Sequence, residues 1–165
     1  MTSKPCIHWL GAGLSSGPGI AALARRRGNV VLWNRTVEKA HALVDAIGSD
    51  EGLSVEMLDF EVLADRVAPG DVVVSMLPGA FHVQVAKLAL NADAHMVTTS
   101  YLSPEMMALD AEAQAKGLVI LNEVGVDPGI DHLFAQVLVD AARQAGQLSD
   151  GHRVSFESHC GGVPA

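Results

Sequence analysis

Cysteine is scarce: Cys6 and Cys160 are the only two in 165 residues. Two make neither a disulfide framework nor a zinc site, and a reducing cytoplasm is the expected compartment. No apolar run reaches the roughly 18 residues that a membrane-crossing helix needs. Met1–Pro5 does not open a signal peptide, because the apolar run that follows, Ile7–Leu10, is too short. Sixteen glycines and seven prolines fall short of a low-complexity or collagen-like composition. With 49% apolar and 18% charged residues, an intrinsically disordered chain is excluded. The length suits one domain able to bury a sizeable core without staples.

Acids are also missing from the first 37 residues, which hold Lys4, Arg25, Arg26, Arg27 and Arg35; the first acid is Glu38. That segment carries +5 on a chain of net charge −8. The overall charge argues against non-specific binding to DNA or RNA. A basic opening on an acidic chain points instead to a local anion site. Arg25–Arg27 read equally well as solvated cations at a helix end, where they suit the dipole.

The elements alternate. Apolar strands are expected at Cys6–Leu10, Asn29–Trp33, Leu53–Met57, Asp71–Met76, His95–Thr98 and Leu118–Leu121. Between them come helices at Gly17–Arg27, about Val37–Ile47 with Thr36 as N-cap, Glu61–Val67, Pro78-Gly79 to about Leu90, and Pro104–Lys116 with Ser103 as N-cap. A last helix is expected from Asp127-Pro128 to about Ala145. Near-continuous apolar strands mean a parallel sheet covered on both faces. Six of them fit a doubly wound α/β fold of order 3-2-1-4-5-6, Rossmann-like. His152–His159 alternates and reads as a further strand. The expected division is a dinucleotide-binding domain over 1–150 and the start of a second domain over 151–165.

The first strand runs into Gly11-Ala12-Gly13-Leu14-Ser15-Ser16-Gly17, a G-x-G-x-x-x-G turn that then opens a helix. Gly11 suits a tight turn, Gly13 lets backbone approach a pyrophosphate, and Gly17 lets the helix pack close to the sheet. The second strand ends Asn34-Arg35-Thr36, where an NAD site would place a carboxylate on the ribose. None is there. Arg35 suits a 2′-phosphate, with Asn34 and Thr36 as hydrogen-bonding neighbours, so NADP is the expected cofactor. Candidate cofactor contacts are Gly11, Gly13, Leu14, Ser15, Gly17, Asn34, Arg35, Thr36, Ser75, Leu77, Pro78, Thr99 and Val124. His8, His41 and His95 show no ligand spacing, so no metal is assigned.

Asn122-Glu123-Val124-Gly125-Val126-Asp127-Pro128-Gly129-Ile130-Asp131-His132 resembles a signature of the NADP-dependent, L-glutamate-forming saccharopine dehydrogenases. Ser75-x-x-Pro78-x-x-Phe81-His82, Thr98-Thr99-Ser100-Tyr101 and the tail Ser158–Ala165 are similar to the same family, whose members usually carry Tyr where His159 stands. The resemblance covers nearly the whole chain. It implies a longer protein with a substrate domain and oxidation of a small amino-acid substrate at a secondary amine; a homodimer is expected from the unpaired strand edge over residues 152–160.

By that resemblance Asp127, Ser100, Tyr101 and Cys160 are the candidate catalytic residues. Asp127 reads equally as an N-cap before Pro128, Tyr101 as a packed loop aromatic, and Cys160 as a small buried hydrophobe. His132 is open between a proton shuttle and a structural residue. Two other functions stay open: a carboxyspermidine-type dehydrogenase and a nucleotide-sensing module without chemistry.

Overall fold

The computed structural model describes residues 4–48, 52–149, 151, 153–159 and 161. Its strands are β1 (Ile7–Leu10), β2 (Val30–Asn34), β3 (Leu53–Met57), β4 (Val72–Ser75), β5 (His95–Thr98) and β6 (Ile120–Leu121). They form one six-stranded sheet in the order β3-β2-β1-β4-β5-β6, with every pairing parallel. The doubly wound expectation therefore holds, strand for strand.

Among the described residues six helices connect them, α1 (Ser16–Arg27), α2 (Val37–Ile47), α3 (Phe60–Arg66), α4 (His82–Asn91), α5 (Pro104–Met107) and α6 (Asp110–Ala115), and a seventh, α7 (Ile130–Gln144), follows β6. A single 3-10 turn, Gly79–Phe81, leads into α4. Asp59 caps α3, its carboxylate accepting from the N–H groups of Glu61 and Val62. Ser103 caps α5 in the expected way, accepting from Met106 N–H. Thr36 occupies the N-cap position of α2 but makes no capping hydrogen bond.

Alternation along each strand sends side chains to opposite faces, and two cores result. Trp9, Val30 and Leu32 pack on one face with Ile20, Ala40 and Val44 from α1 and α2. Leu10, Val31, Trp33 and Val73 pack on the other with Leu63, Val85 and Ala89 from α3 and α4. Burying strands on both faces is what makes them read as unbroken apolar runs.

A polar cluster lies inside the second core. Trp33 Nε1–H donates to His8 Nδ1 at 3.1 Å, and His8 Nε2 meets Asp71 Oδ2 at 3.1 Å. With Nδ1 accepting, the proton sits on Nε2 and points at the carboxylate. Asp71 also accepts from the N–H groups of Cys6 and Ala68. Burial pushes the His8 pKa down, against the opposing pull of Asp71.

Four expectations need correcting. Gly17 does not set α1 against the sheet: a Cβ there would lie 3.2 Å from Leu43 and 3.6 Å from Ile47, both on α2. Gly19 does that work, because its Cβ would stand 2.8 Å from the Trp9 indole. The helix expected over Pro104–Lys116 is two short helices separated at Ala108–Leu109. The last helix starts at Ile130 rather than Pro128, so Asp127 is not its cap. Finally, residues 153–159 form no strand. Alternation supplies a face, but a strand also needs a neighbour for its backbone groups.

Candidate functional site

The glycine turn is held from four sides before any ligand is considered. Gly11 N–H donates to Trp33 C=O at 2.8 Å. The Gly11 carbonyl accepts from both Trp9 Nε1–H and Ser16 O–H, each at 3.1 Å. Asn34 completes the frame: its Oδ1 accepts Ala12 N–H at 3.0 Å, and its Nδ2 donates to Thr36 C=O at 2.7 Å. Gly11 has φ +106, and a Cβ there would press on the Met76 carbonyl at 3.2 Å. Its need for glycine is therefore structural.

Gly13 differs. Nothing stands nearer a Cβ there than Ser16 Oγ at 3.9 Å. The backbone N–H groups of Gly13, Leu14 and Ser15 make no hydrogen bond among the described residues. They open α1, where a helix presents its positive end. Leu14 and Ser15 are exposed, with Ser16 buried beneath them.

Beside the turn lies a cavity of 340 Å³. Gly11–Gly13 form one side of it, and Asn34, Arg35, Thr36 and Lys39 form another. Leu58, Phe60, Leu77, Pro78 and Phe81 supply an apolar wall. Phe60 and Phe81 stack at 6.1 Å. Arg35 is exposed and forms no ion pair among the described residues. Lys39, from the first turn of α2, adds a second cation that the sequence reading passed over. Three residues after Thr36, it lies one helical turn on, and that spacing was the available signal. Arg25 and Arg26 stand on the last turn of α1, at the far end of the sheet from this cavity, so they do not contribute to it.

The ends of β4, β5 and β6 continue the crevice. Ser75 is fully buried and bonded to His82. Thr99 O–H donates to the sulfur of Met76 at 3.9 Å, tying the β5 end to the β4 end. Glu123, with φ +61, donates its N–H to Ser100 C=O and accepts Leu102 N–H on Oε1. Val124 N–H donates to Thr98 C=O at 3.2 Å. A Cβ on Gly125 would sit 3.3 Å from Thr99. The segment of the eleven-residue signature thus lies directly against the Thr98–Ser100 loop.

That docking brings two candidates together across 26 positions of sequence: Tyr101 O–H donates to Asp127 Oδ1 at 2.7 Å. Both are exposed. Asp127 precedes a cis peptide bond to Pro128. His132 is exposed and bonded to Asp131 at 2.8 Å, whose hydrogen bond and charge push its pKa up. Cys160 lies outside the described residues. Two further residues were not among the candidates from sequence, although His82 stands in the Ser75–His82 pattern. Ser16 locks the turn, and His82 joins Ser75 to Ser100.

A glycine turn opening a helix beside a basic, acid-free strand end, on a parallel sheet of this order, defines a dinucleotide-binding domain of the doubly wound class. The family model for the saccharopine dehydrogenase NADP binding domain matches residues 7–121. The chain belongs to that family. It is 36% identical over 162 residues to the saccharopine dehydrogenase [NADP(+), L-glutamate-forming] of Schizosaccharomyces pombe, covering 98% of this chain and 35% of the relative. Against the enzyme of the same name from Saccharomyces cerevisiae it is 40% identical over 157 residues, covering 94% and 34%. The solved saccharopine dehydrogenase (L-Glu forming) from Saccharomyces cerevisiae superimposes with a TM-score of 0.72 at 37% identity, covering 86% of this chain and 32% of that one. The chain thus spans about a third of the length of the curated relatives it matches.

Proposed function

We propose that the crevice holds NADP with its 2′-phosphate between Arg35 and Lys39 and its pyrophosphate on the N–H groups of Gly13, Leu14 and Ser15. The observation that carries this is the 340 Å³ cavity, which combines two cations, no carboxylate and the glycine turn. Gly13 supports it independently, because the space a Cβ would fill there is open on the protein side. Asn34 serves by holding the turn, and Thr36 offers a hydroxyl at the same strand end. Leu77, Pro78, Thr99 and Val124 line the path from the adenosine end towards β6.

As part of a protein like its relatives, the domain serves oxidation at the C–N bond of saccharopine, giving glutamate and α-aminoadipate semialdehyde. NADP, when bound, supplies the hydride acceptor. The chain's own residues do the rest of what this half can do. Tyr101 and Asp127 form an exposed pair holding a proton on the phenol oxygen, within reach of a substrate amine or water. Ser100 stands beside them, and Cys160 completes the proposed set. The proposal includes a substrate domain from about residue 151, a homodimer and a cytoplasmic setting. The exposed apolar side chains of α7, Leu133, Phe134, Val137 and Leu138, support a further layer over that helix.

Calorimetric titration of this chain with NADP and NAD tests the reading. NADP is expected to bind more tightly. Tighter binding of NAD overturns it.

A further inference from the structure

His82 opens α4 and is only 4% exposed, yet the hydrogen-bond partners of its ring are all hydroxyls. Ser75, the last residue of β4, faces Nδ1 at 3.0 Å. Ser100, two residues past β5, faces Nε2 at 2.6 Å, and Thr98 approaches the same nitrogen at 3.3 Å. Burial holds the imidazole below its ordinary range, so the ring is neutral at pH 7. A neutral imidazole carries one N–H and one lone pair on opposite sides. One hydroxyl therefore accepts from it and another donates to it, and the two strand ends are held at the width of the ring.

What those ends carry gives the ring its importance. Ser75 gives the ring a fully buried anchor at the end of β4. Ser100 leads into Tyr101, and its carbonyl accepts Glu123 N–H at 3.1 Å. The loop bearing Tyr101 and the segment bearing Asp127 both hang on the hydroxyl that His82 grips. Filling the same volume would need only an apolar side chain. A buried ring with both nitrogens satisfied is retained at a desolvation cost that apolar packing would avoid.

We infer that His82 is a positioning residue for the nicotinamide half of the crevice, a strut setting the β4 end against the Ser100–Tyr101 loop. The inference rests on the reading of the crevice as an NADP site. His82 acts through Ser75 and Ser100 rather than by touching the ligand.

Three variants separate this from space filling. His82→Leu removes both hydrogen bonds. His82→Gln reaches the position of Nε2 and keeps Ser100; His82→Asn reaches only Nδ1 and keeps Ser75. Each is titrated with NADPH and with 2′-phospho-ADP-ribose, which lacks the nicotinamide. His82→Leu is expected to bind NADPH about tenfold more weakly and to return the bound nicotinamide fluorescence towards its free value. Affinity for 2′-phospho-ADP-ribose should stay within about twofold of the unaltered chain. His82→Gln should restore most of the NADPH affinity and fluorescence, and His82→Asn should resemble His82→Leu. If His82→Leu does not fold, the contrast between Gln and Asn carries the test. Equal behaviour of the Gln and Asn variants, or equal losses for both ligands, overturns the inference. An unaltered chain that binds neither ligand overturns the NADP reading itself.

Discussion

Arg35→Ala removes a side chain that the protein does not use for its own stability. Arg35 is exposed and forms no ion pair among the described residues, so the fold should melt at an unchanged temperature. The whole effect should then fall on the ligand. A hydrogen bond to a charged group contributes about 1.5–3 kcal/mol where water is excluded. This site is open to solvent, which screens the charge, so about 1–2 kcal/mol is the expected loss. That is roughly five- to thirtyfold in the dissociation constant for NADP. NAD has no 2′-phosphate and should bind within about twofold of its affinity for the unaltered chain. Lys39→Ala should act in the same direction by a smaller factor, about three- to fivefold, since an ammonium is a point charge without a fork. Raising salt from low to moderate concentration should narrow the NADP–NAD gap in the unaltered chain, and narrow it less in Arg35→Ala, where Lys39 is the cation that remains. Calorimetry at two salt concentrations reads all of this. Equal weakening of both cofactors by Arg35→Ala would refute the reasoning, because it would place Arg35 on a group the two share.

Three more outcomes are expected. Gly13→Val should fold with a normal circular dichroism spectrum yet bind no dinucleotide, since a Cβ meets only Ser16 Oγ at 3.9 Å; retained NADP affinity would put the phosphates elsewhere. Thermal stability should fall as pH drops through about 6.5, because burial lowers the pKa of both His8 and His82 in the folded state and the unfolded chain takes up their protons first; a melting temperature that rises on acidification from pH 7 to 5 would contradict that sign. Saccharopine and NADP mixed with these 165 residues should give no growth of the reduced-cofactor absorbance at even about 1 turnover per second, because orienting the amine can be worth about 7–11 kcal/mol of barrier and the relatives are about three times longer.

The sheet was readable from sequence because its strands are buried on both faces, so Val30–Trp33 and Val72–Val74 are apolar without interruption. The turn was readable because its glycines sit between a strand and a helix. Less was legible where partners come from far along the chain. Nothing near His82 shows that β4 and β5 will set hydroxyls on both its nitrogens. The pairing of Tyr101 with Asp127 depends on the 122–129 segment folding back on the Thr98–Ser100 loop. Gly19 was passed over because its reason is the Trp9 indole one strand away. The stretch from Arg153 to His159 was misread for the opposite reason: local pattern alone cannot supply a neighbouring strand.

The four-sided hold on the Gly11 turn bears on how fast a ligand can be captured. Trp9, Ser16, Trp33 and Asn34 already fix the peptide orientations of the turn. A phosphate arriving at the proposed Gly13–Ser15 site would not wait for a loop to order, and little backbone entropy would be left to lose. Capture should therefore follow one exponential whose rate climbs in proportion to cofactor concentration, without the plateau that a preceding rearrangement would impose. Trp9 stands in the frame itself, so its emission places an optical reporter at the spot where the first contact is made.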